Sequence, residues 1–245
     1  MSFPDGHVAF SKAKPWSCGT IAWFDAGSGV TTDPTTQRVT TWVDQNRVNT
    51  ALPVTGGWLG PKVNKTGPNF RPSLIFDNIN GSGSAGTSLS CTNWKSPAGA
   101  APATVVGVYK SSQTWGQDVI SWGPTSNDLR GLGCTSVMCA FSGPDSVSDT
   151  MSIDGFHIGI EIYNGSATQF YVDGSLKREP NATPIVTATA TGIPLYLGKR
   201  SDSGPWNRFS GELAEAMVFD YCLTADARNS LESYLSQKYK ISLKL

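Results

Sequence analysis

The chain has 245 residues, its 19 basic and 19 acidic side chains balance to zero net charge, and 16% of its residues are charged. This length suits one large domain or two small ones, and the balanced charge gives no electrostatic support to a nucleic-acid or anionic-membrane partner. No apolar run approaches the roughly 18 residues of a membrane span, so we expect neither nucleic-acid binding nor membrane insertion.

Residues 1–19 show no strong periodicity and no continuous apolar stretch. A secretory signal peptide requires such a stretch, so we do not interpret this segment as one. We interpret it as an N-terminal arm or tether, followed by one folded domain over residues 20–245.

The cysteines are Cys18, Cys91, Cys134, Cys139 and Cys222. Their odd number and irregular spacing do not form a disulfide framework. Cys134 and Cys139 are close enough in sequence to pair, but they lie in an apolar run, so we favour reduced and buried thiols.

Short alternating or apolar segments separated by turn residues follow from residue 20 onward. Residues 20–25 predict a strand with Ile21, Trp23 and Asp25 on one face, because alternate side chains of a strand share a face. Segment 46–69 carries Pro and Gly at short intervals and is predicted to be mostly loop. Segment 103–110 is almost wholly apolar and β-branched, which is typical of a central strand buried on both faces.

The clearest local pattern is a hairpin over residues 156–178. Ile158, Ile160 and Ile162 alternate with other residues, and Asn164-Gly165 is a strong turn dipeptide. Counting all such segments, the chain contains roughly ten to twelve strands. Many short strands joined by polar turns indicate an all-β fold, which we predict to be a two-sheet antiparallel jelly-roll sandwich.

Residues 224–240 predict one amphipathic helix that packs on the sandwich. Thr224 suits the N-cap position. Glu232 is among the residues placed away from the apolar stripe. That stripe consists of Ala227, Leu231, Tyr234, Leu235 and Tyr239.

The hairpin sequence FHIGIEIYNGSATQFYVDGSL resembles the W-H-x-x-x-x-Y-D-G and Y-V-D-G hairpin of the laminin-G-like branch of the concanavalin A-like lectin/glucanase superfamily. Segment 195–241 resembles the end of that branch, where a LYIG strand, an F-x-G-x-I-A-E strand and a helix follow in order. The resemblance implies a two-sheet concanavalin A-like sandwich. It also implies carbohydrate binding as the commonest role, sometimes with a calcium ion.

Glu212 and Glu215 are the candidate catalytic pair. Glycosidases need two carboxyl groups that flank the scissile bond, and the resemblance implies a pattern like Glu-x-Asp-x-Glu, which this chain lacks. Glu212 and Glu215 are three residues apart, so in a regular strand they would point to opposite faces. We therefore predict no catalytic residues, a non-enzymatic protein and a structural role for Glu215, with a glycan-cleaving enzyme as the less favoured alternative.

A sugar site requires an exposed aromatic ring beside polar side chains, because sugars present both C–H faces and hydroxyl groups. Three segments with Trp offer this combination, although each Trp is alternatively a loop anchor. Trp23 and Trp42 lie within strands and are predicted to be core. The candidate ligand-binding residues are Asp202, Trp206, Asn207, Arg208, Trp115, Gln113 and Trp94.

Two oxygen-rich segments are candidates for a calcium site. They contribute Asp44 and Asn46 in one segment and Asp77 and Asn78 in the other. Neither has EF-hand spacing, and local hydrogen bonding in turns is the alternative explanation for these side chains.

The sequence thus predicts a lectin-like module that binds glycan or surface polysaccharide. The preferred setting is a virion or an extracellular surface, with a cytoplasmic location as the alternative. Residues 1–19 would attach the module to other virion or surface proteins. A capsid, tail or fibre protein without sugar binding is the alternative function, and a homo-oligomer is compatible with either.

Overall fold

The computed structural model of the protein describes residues 19–56, 58–77, 86–113, 116–123, 129–134, 137–142, 145–152, 155–165, 167–178, 192–200 and 207–244. The predicted arm therefore lies outside the described residues except for Gly19. The strands are β1 (Thr20–Asp25), β2 (Val30–Thr32), β3 (Val39–Val43), β4 (Thr50–Pro53), β5 (Lys62–Asn64), β6 (Ser73–Phe76), β7 (Leu89–Cys91), β8 (Ala103–Ser111), β9 (Gln117–Trp122), β10 (Arg130–Cys134), β11 (Val137–Ser142), β12 (Asp145–Ser152), β13 (His157–Tyr163), β14 (Thr168–Val172), β15 (Ser175–Arg178), β16 (Leu195–Leu197) and β17 (Gly211–Phe219). A 3-10 turn spans Pro68–Phe70, and helix α1 spans Ala225–Tyr239.

These strands form two antiparallel sheets, which confirms the predicted jelly-roll sandwich. Within the described residues, sheet I has eight strands in the order β15-β14-β13-β8-β17-β6-β5, with β1 also paired to β17. Sheet II has nine strands in the order β12-β11-β10-β9-β16-β7-β4-β3-β2. On one side of β17, its first residues pair with β6 and its later residues pair with β1, so two short strands share that side.

The main core lies between the two sheets. Trp42 and Trp122 are fully buried there, as is Tyr109 of the central strand β8. Val106 and Val108 of the same strand point to the opposite face of sheet I, so β8 is buried on both faces as predicted. Burying one large apolar side chain contributes about 1.5–3 kcal/mol.

A second core lies between the outer face of sheet I and helix α1. Ile158 and Ile160 of β13 contribute from the sheet, and Leu231 and Leu235 contribute from the helix. The Thr224 hydroxyl accepts a hydrogen bond from the backbone N–H of Ala227, which confirms the predicted N-cap. Within the described residues, no helix is long and apolar enough to cross a membrane.

The strand count exceeds the prediction because several strands are too short to show a pattern. β4 and β5 have 4 and 3 residues and lie in segment 46–69, which was predicted to be mostly loop. A strand of this length contains too few residues to display alternation. Its pairing with neighbouring strands therefore decides its conformation.

Glu232 is buried, with 1% of its surface exposed, although the sequence places it away from the apolar stripe of α1. Arg228 Nε lies 3.5 Å from Glu232 Oε2, and the Arg228 guanidinium lies 3.8 Å from the centre of the Tyr171 ring. Tyr171 belongs to β14, so sheet I also contacts helix α1 outside the apolar stripe of the helix. Burial raises the pKa of Glu232 above its ordinary value, although Arg228 opposes this effect.

Replacing Glu232 by Gln should make stability less dependent on pH. Because the folded state prefers the protonated carboxyl, Glu232 favours folding most below its ordinary pKa of 4.5, and this contribution is lost as the pH rises through the raised folded-state pKa. The variant should therefore match the wild type near pH 4 and melt roughly 2–4 °C higher at about pH 7. Thermal unfolding across this range measures the difference. A wild type that gains stability over the variant as the pH rises would contradict the expectation.

Candidate functional site

A β-bulge in β17 places Glu212 and Glu215 on the same face of sheet I. Leu213 lies opposite Tyr109 and Glu215 lies opposite Val108, so Ala214 is an extra residue in this strand. The prediction that the two carboxylates point to opposite faces is wrong. It assumed a regular strand, and one extra residue reverses the alternation that follows it.

Glu212 is held in an ionised state at the edge of this face. Its Oε2 accepts hydrogen bonds from Ser73 Oγ at 2.5 Å and Asn64 Nδ2 at 2.8 Å, and its Oε1 lies 2.9 Å from Lys110 Nζ. Burial alone would raise the pKa of Glu212, but these three partners outweigh burial and lower it.

Glu215 lies beneath helix α1, with 1% of its surface exposed. Trp23 Nε1 donates to its Oε1 at 2.7 Å, and both Lys238 Nζ and the Tyr239 hydroxyl donate to its Oε2 at 2.7 Å. Lys238 Nζ also donates to Asp25 Oδ2 at 2.5 Å. Burial works against the charge of Lys238, but the two carboxylates outweigh it and raise the pKa of Lys238.

These contacts give Glu215 a structural role. Burial raises the pKa of Tyr239 far above its ordinary value, so its hydroxyl remains a hydrogen-bond donor. The carboxylate joins β1, β17 and α1 through three donors. A glycosidase carboxyl must reach the scissile bond, whereas Glu215 is covered by the helix.

Two of the segments predicted to bind sugar meet in the structure. The backbone N–H of Asp118 donates to the carbonyl of Asn207 at 3.2 Å, so the segment before β17 lies against the start of β9. The carbonyl of Gln113 accepts a hydrogen bond from Gln117 Nε2 at 3.3 Å, and Gln117 Oε1 accepts one from the backbone N–H of Ser210 at 2.5 Å. Asn207, Arg208 and Gln113 are therefore parts of one region.

At this region two aromatic rings and two cations form a group that we call the Trp58 cluster, defined as Trp58, Tyr196, Lys199 and Arg208. Lys199 Nζ lies 5.3 Å from the centre of the Trp58 ring and 4.7 Å from that of Tyr196. The guanidinium carbon of Arg208 lies 4.7 Å from the centre of the Trp58 ring. Cations at these distances are attracted to the ring faces.

The cluster lies on the outer face of sheet II. Leu195 and Leu197 point into the main core, so Tyr196 between them points outward. Tyr196 and Trp58 are both half-buried. Lys199, Arg208 and Asp118 are buried beside the two rings, and Asp118 Oδ2 lies 3.8 Å from Arg200 Nε.

Sequence reasoning missed Trp58, Tyr196 and Lys199. Trp58 follows Gly56 and Gly57 in the predicted loop, and a Trp in a polar loop is the same signal that selected Trp94 and Trp115. Lys199 and Tyr196 carried no such signal, because only the pairing of strands brings them beside Trp58.

Trp94 lies in the main core, with 5% of its surface exposed. Its indole N–H donates to the carbonyl of Ile193 at 2.8 Å, and its ring packs edge-on against Trp122 at 5.4 Å. These contacts show that Trp94 anchors its loop, which was the alternative to sugar binding for this residue. Trp42 is fully buried as predicted, whereas Trp23 packs at the edge of the second core. Asp202, Trp206 and Trp115 lie outside the described residues.

The described candidate calcium ligands each bond to other groups of the protein. Asp44 Oδ1 accepts hydrogen bonds from the backbone N–H groups of Val48 and Asn49, at 2.9 and 3.1 Å. Asn46 donates to the carbonyl of Thr20, and Asp77 pairs with Arg38 at 3.3 Å. Asn78 lies outside the described residues. Among the residues that are described, no three His, Cys, Asp or Glu side chains are grouped as a metal site would require.

The cysteines of the described segments are free thiols. Cys91, Cys134 and Cys139 are buried, and Cys222 is half-buried. Burial raises the pKa of Cys134 to about 12, so this thiol stays protonated and unreactive at neutral pH.

Comparison with protein families supports the resemblance of this chain to the laminin-G-like branch. A laminin-G model of the concanavalin A-like lectin/glucanases superfamily matches residues 134–227. A search of curated proteins finds no match.

Solved structures share the fold at low sequence identity. Trypanosoma rangeli sialidase in complex with sialic acid aligns with a TM-score of 0.60 and 13% identity, over 90% of this chain and 33% of that chain. A GH54 α-L-arabinofuranosidase soaked with a cyclic sulfate inhibitor aligns with a TM-score of 0.64 and 10% identity, over 90% of this chain and 63% of that chain. This chain therefore spans less than two thirds of either protein.

Replacing Lys238 by Met should destabilise the protein strongly. The change leaves Asp25 and Glu215 without their shared cation. Burial already raises the pKa of Glu215, and Lys238 opposes this effect. Without the cation, the buried carboxyl either stays charged without compensation or becomes protonated, which should cost about 3–5 kcal/mol. Chemical denaturation measures the change in the free energy of unfolding.

The matched control for that experiment is Lys95→Met, because the Lys95 side chain is 84% exposed. This substitution should change the free energy of unfolding by no more than about 0.5 kcal/mol. Equal effects of the two substitutions would show that Glu215 does not depend on Lys238.

Proposed function

We propose that this chain is a non-enzymatic, lectin-like module that binds glycan at the Trp58 cluster. The observation that carries the proposal is the arrangement of the half-buried rings of Trp58 and Tyr196 beside Lys199 and Arg208, which lie within 4.7–5.3 Å of the ring centres. The exposed parts of the two rings suit the C–H faces of a sugar. Lys199 and Arg208 are buried, with 7% and 3% of their surface exposed, and hold the rings in place.

The surroundings of the cluster support this role. Asn207 and Arg208 come from the segment that joins β16 to β17, and Gln113 comes from the segment before β9. Loops that meet at one end of a rigid sandwich commonly carry binding residues. The backbone hydrogen bond between Asp118 and Asn207 joins the two segments.

The solved neighbours support a glycan ligand at the level of fold. The sialidase and the arabinofuranosidase carry this fold as part of longer glycan-active chains. A fold can host many functions, so the proposal depends on the residues of the site. The non-enzymatic part of the proposal is supported by the contacts of Glu215, whose carboxylate accepts three hydrogen bonds beneath helix α1.

Replacing Trp58 by Ala should reduce glycan affinity at least about tenfold, which corresponds to about 1.4 kcal/mol. Replacing it by Phe should retain most of the affinity, because an aromatic ring remains for stacking and for the two cations. A panel of immobilised polysaccharides identifies a ligand, and calorimetry with the full chain measures the affinities.

Two results would overturn the proposal. One is a wild-type chain that binds none of the polysaccharides, and the other is a Trp58→Ala chain that binds as tightly as the wild type. Release of reducing ends from any polysaccharide in the panel would contradict the non-enzymatic part. Thermal unfolding of both variants controls for loss of fold.

A further inference from the structure

Phe70 is the most exposed of the large apolar side chains, with 86% of its surface exposed, among the described residues. Phe70 is the last residue of the 3-10 turn Pro68–Phe70, which lies between β5 and β6. A single exposed apolar residue is common and carries no inference by itself. Its backbone and its neighbours are what distinguish it.

The backbone of Phe70 is in the left-handed region, with φ of 57°, directly after Asn69 with φ of 49°. Asn adopts this conformation several-fold more often than most residues, whereas a bulky side chain there is an outlier. Such a conformation persists only where surrounding contacts enforce it, and it is frequent at binding sites.

Contacts on both sides hold the turn in place. Pro68 is buried, and Asn69 Nδ2 donates to the carbonyl of Lys238 at 3.0 Å, near the end of helix α1. A Cβ on Gly67 would lie 2.5 Å from Ser73 Oγ, so glycine is required at that position. The ring of Phe70 is therefore presented by a rigid segment, which reduces the entropic cost of binding.

The next residue, Arg71, borders a hollow of about 400 Å³. Lys238 in this hollow is already paired with Asp25 and Glu215. Within the described part of the chain, no ion pair or hydrogen bond involves the side chains of Arg71 or Gln237. The hollow is lined by Asp25, Arg71, Tyr234, Gln237 and Lys238.

We propose that Phe70, Arg71 and Gln237 form a second ligand site, which takes a pyranose unit bearing a carboxylate. The C–H face of the sugar stacks on Phe70. The guanidinium of Arg71 binds the carboxylate through two parallel hydrogen bonds. The amide of Gln237 binds hydroxyl groups, for which it offers both a donor and an acceptor.

The site is separate from the Trp58 cluster. The two share no residue, and they are built on different sheets, because Phe70 and Arg71 precede β6 of sheet I and Tyr196 lies in β16 of sheet II. The polar side chains around the hollow favour a hydroxyl-rich ligand over an apolar protein surface.

The test uses the full chain with Trp58 replaced by Ala, so that the first site does not contribute, and tetragalacturonate as the probe. Calorimetry should detect binding to this chain. Adding Phe70→Ala or Arg71→Gln should weaken binding at least about tenfold, and Phe70→Tyr should retain it. The carboxyl-reduced tetrasaccharide should bind at least about tenfold more weakly than the acid.

Phe70→Asn is the matched control for folding. Asn accepts the left-handed backbone more readily than Phe, so this variant should unfold at a temperature no lower than its parent and still lose binding. Loss of binding together with a lower unfolding temperature would attribute the effect of Phe70 to folding and would overturn the proposal.

Absence of tetragalacturonate binding to the Trp58→Ala chain would overturn the second site, as would unchanged affinity after Phe70→Ala. Equal affinity for the acid and its reduced form would overturn the role of Arg71. None of these results bears on the Trp58 cluster, which is tested by comparing the wild type with Trp58→Ala on the neutral polysaccharides of the panel.

Discussion

A buried carboxylate needs hydrogen-bond donors, and the donors to Glu215 come from strand β1 and helix α1. This requirement fixes how the strand and the helix pack on β17. Asp25 lies directly opposite Glu215 across the pair β1 and β17, and like charges in that position repel. Lys238 reaches both carboxylates from helix α1, which makes the strand pairing and the position of the helix depend on each other. Asn69 donates a hydrogen bond to the backbone carbonyl of the same lysine, so the Phe70 turn is attached to the same part of helix α1.

The bulge at Ala214 makes this arrangement possible. With one extra residue in β17, Leu213 fills the core between the sheets while Glu215 faces the helix. Glu212 then lies on the same face as Glu215, an arrangement in which two carboxylates could cooperate on a sugar. Here both are committed to neighbouring side chains, with Glu212 bound by Ser73, Asn64 and Lys110. Their geometry alone therefore does not indicate catalysis.

The two proposed ligand sites use different parts of the same scaffold. The Trp58 cluster depends on pairing within sheet II, because β16 and β9 bring together residues that are distant in sequence. The Phe70 turn depends on packing against the end of helix α1. Two sites on one rigid body would act together on a polymer, because binding at the first raises the effective concentration at the second.

The sequence by itself determined the elements whose signal is local. The buried strand β8, the hairpin β13–β14 and helix α1 with its Thr224 cap followed from periodicity, a turn dipeptide and a capping residue. It also selected Asn207, Arg208 and Gln113, which the structure brings into one region. Only the tertiary structure decided the bulge at Ala214, the burial of Glu232 and the position of Trp58 beside Lys199 and Arg208. The physical reason is that each of these depends on contacts between residues far apart in the chain, which leave no periodic pattern in the sequence.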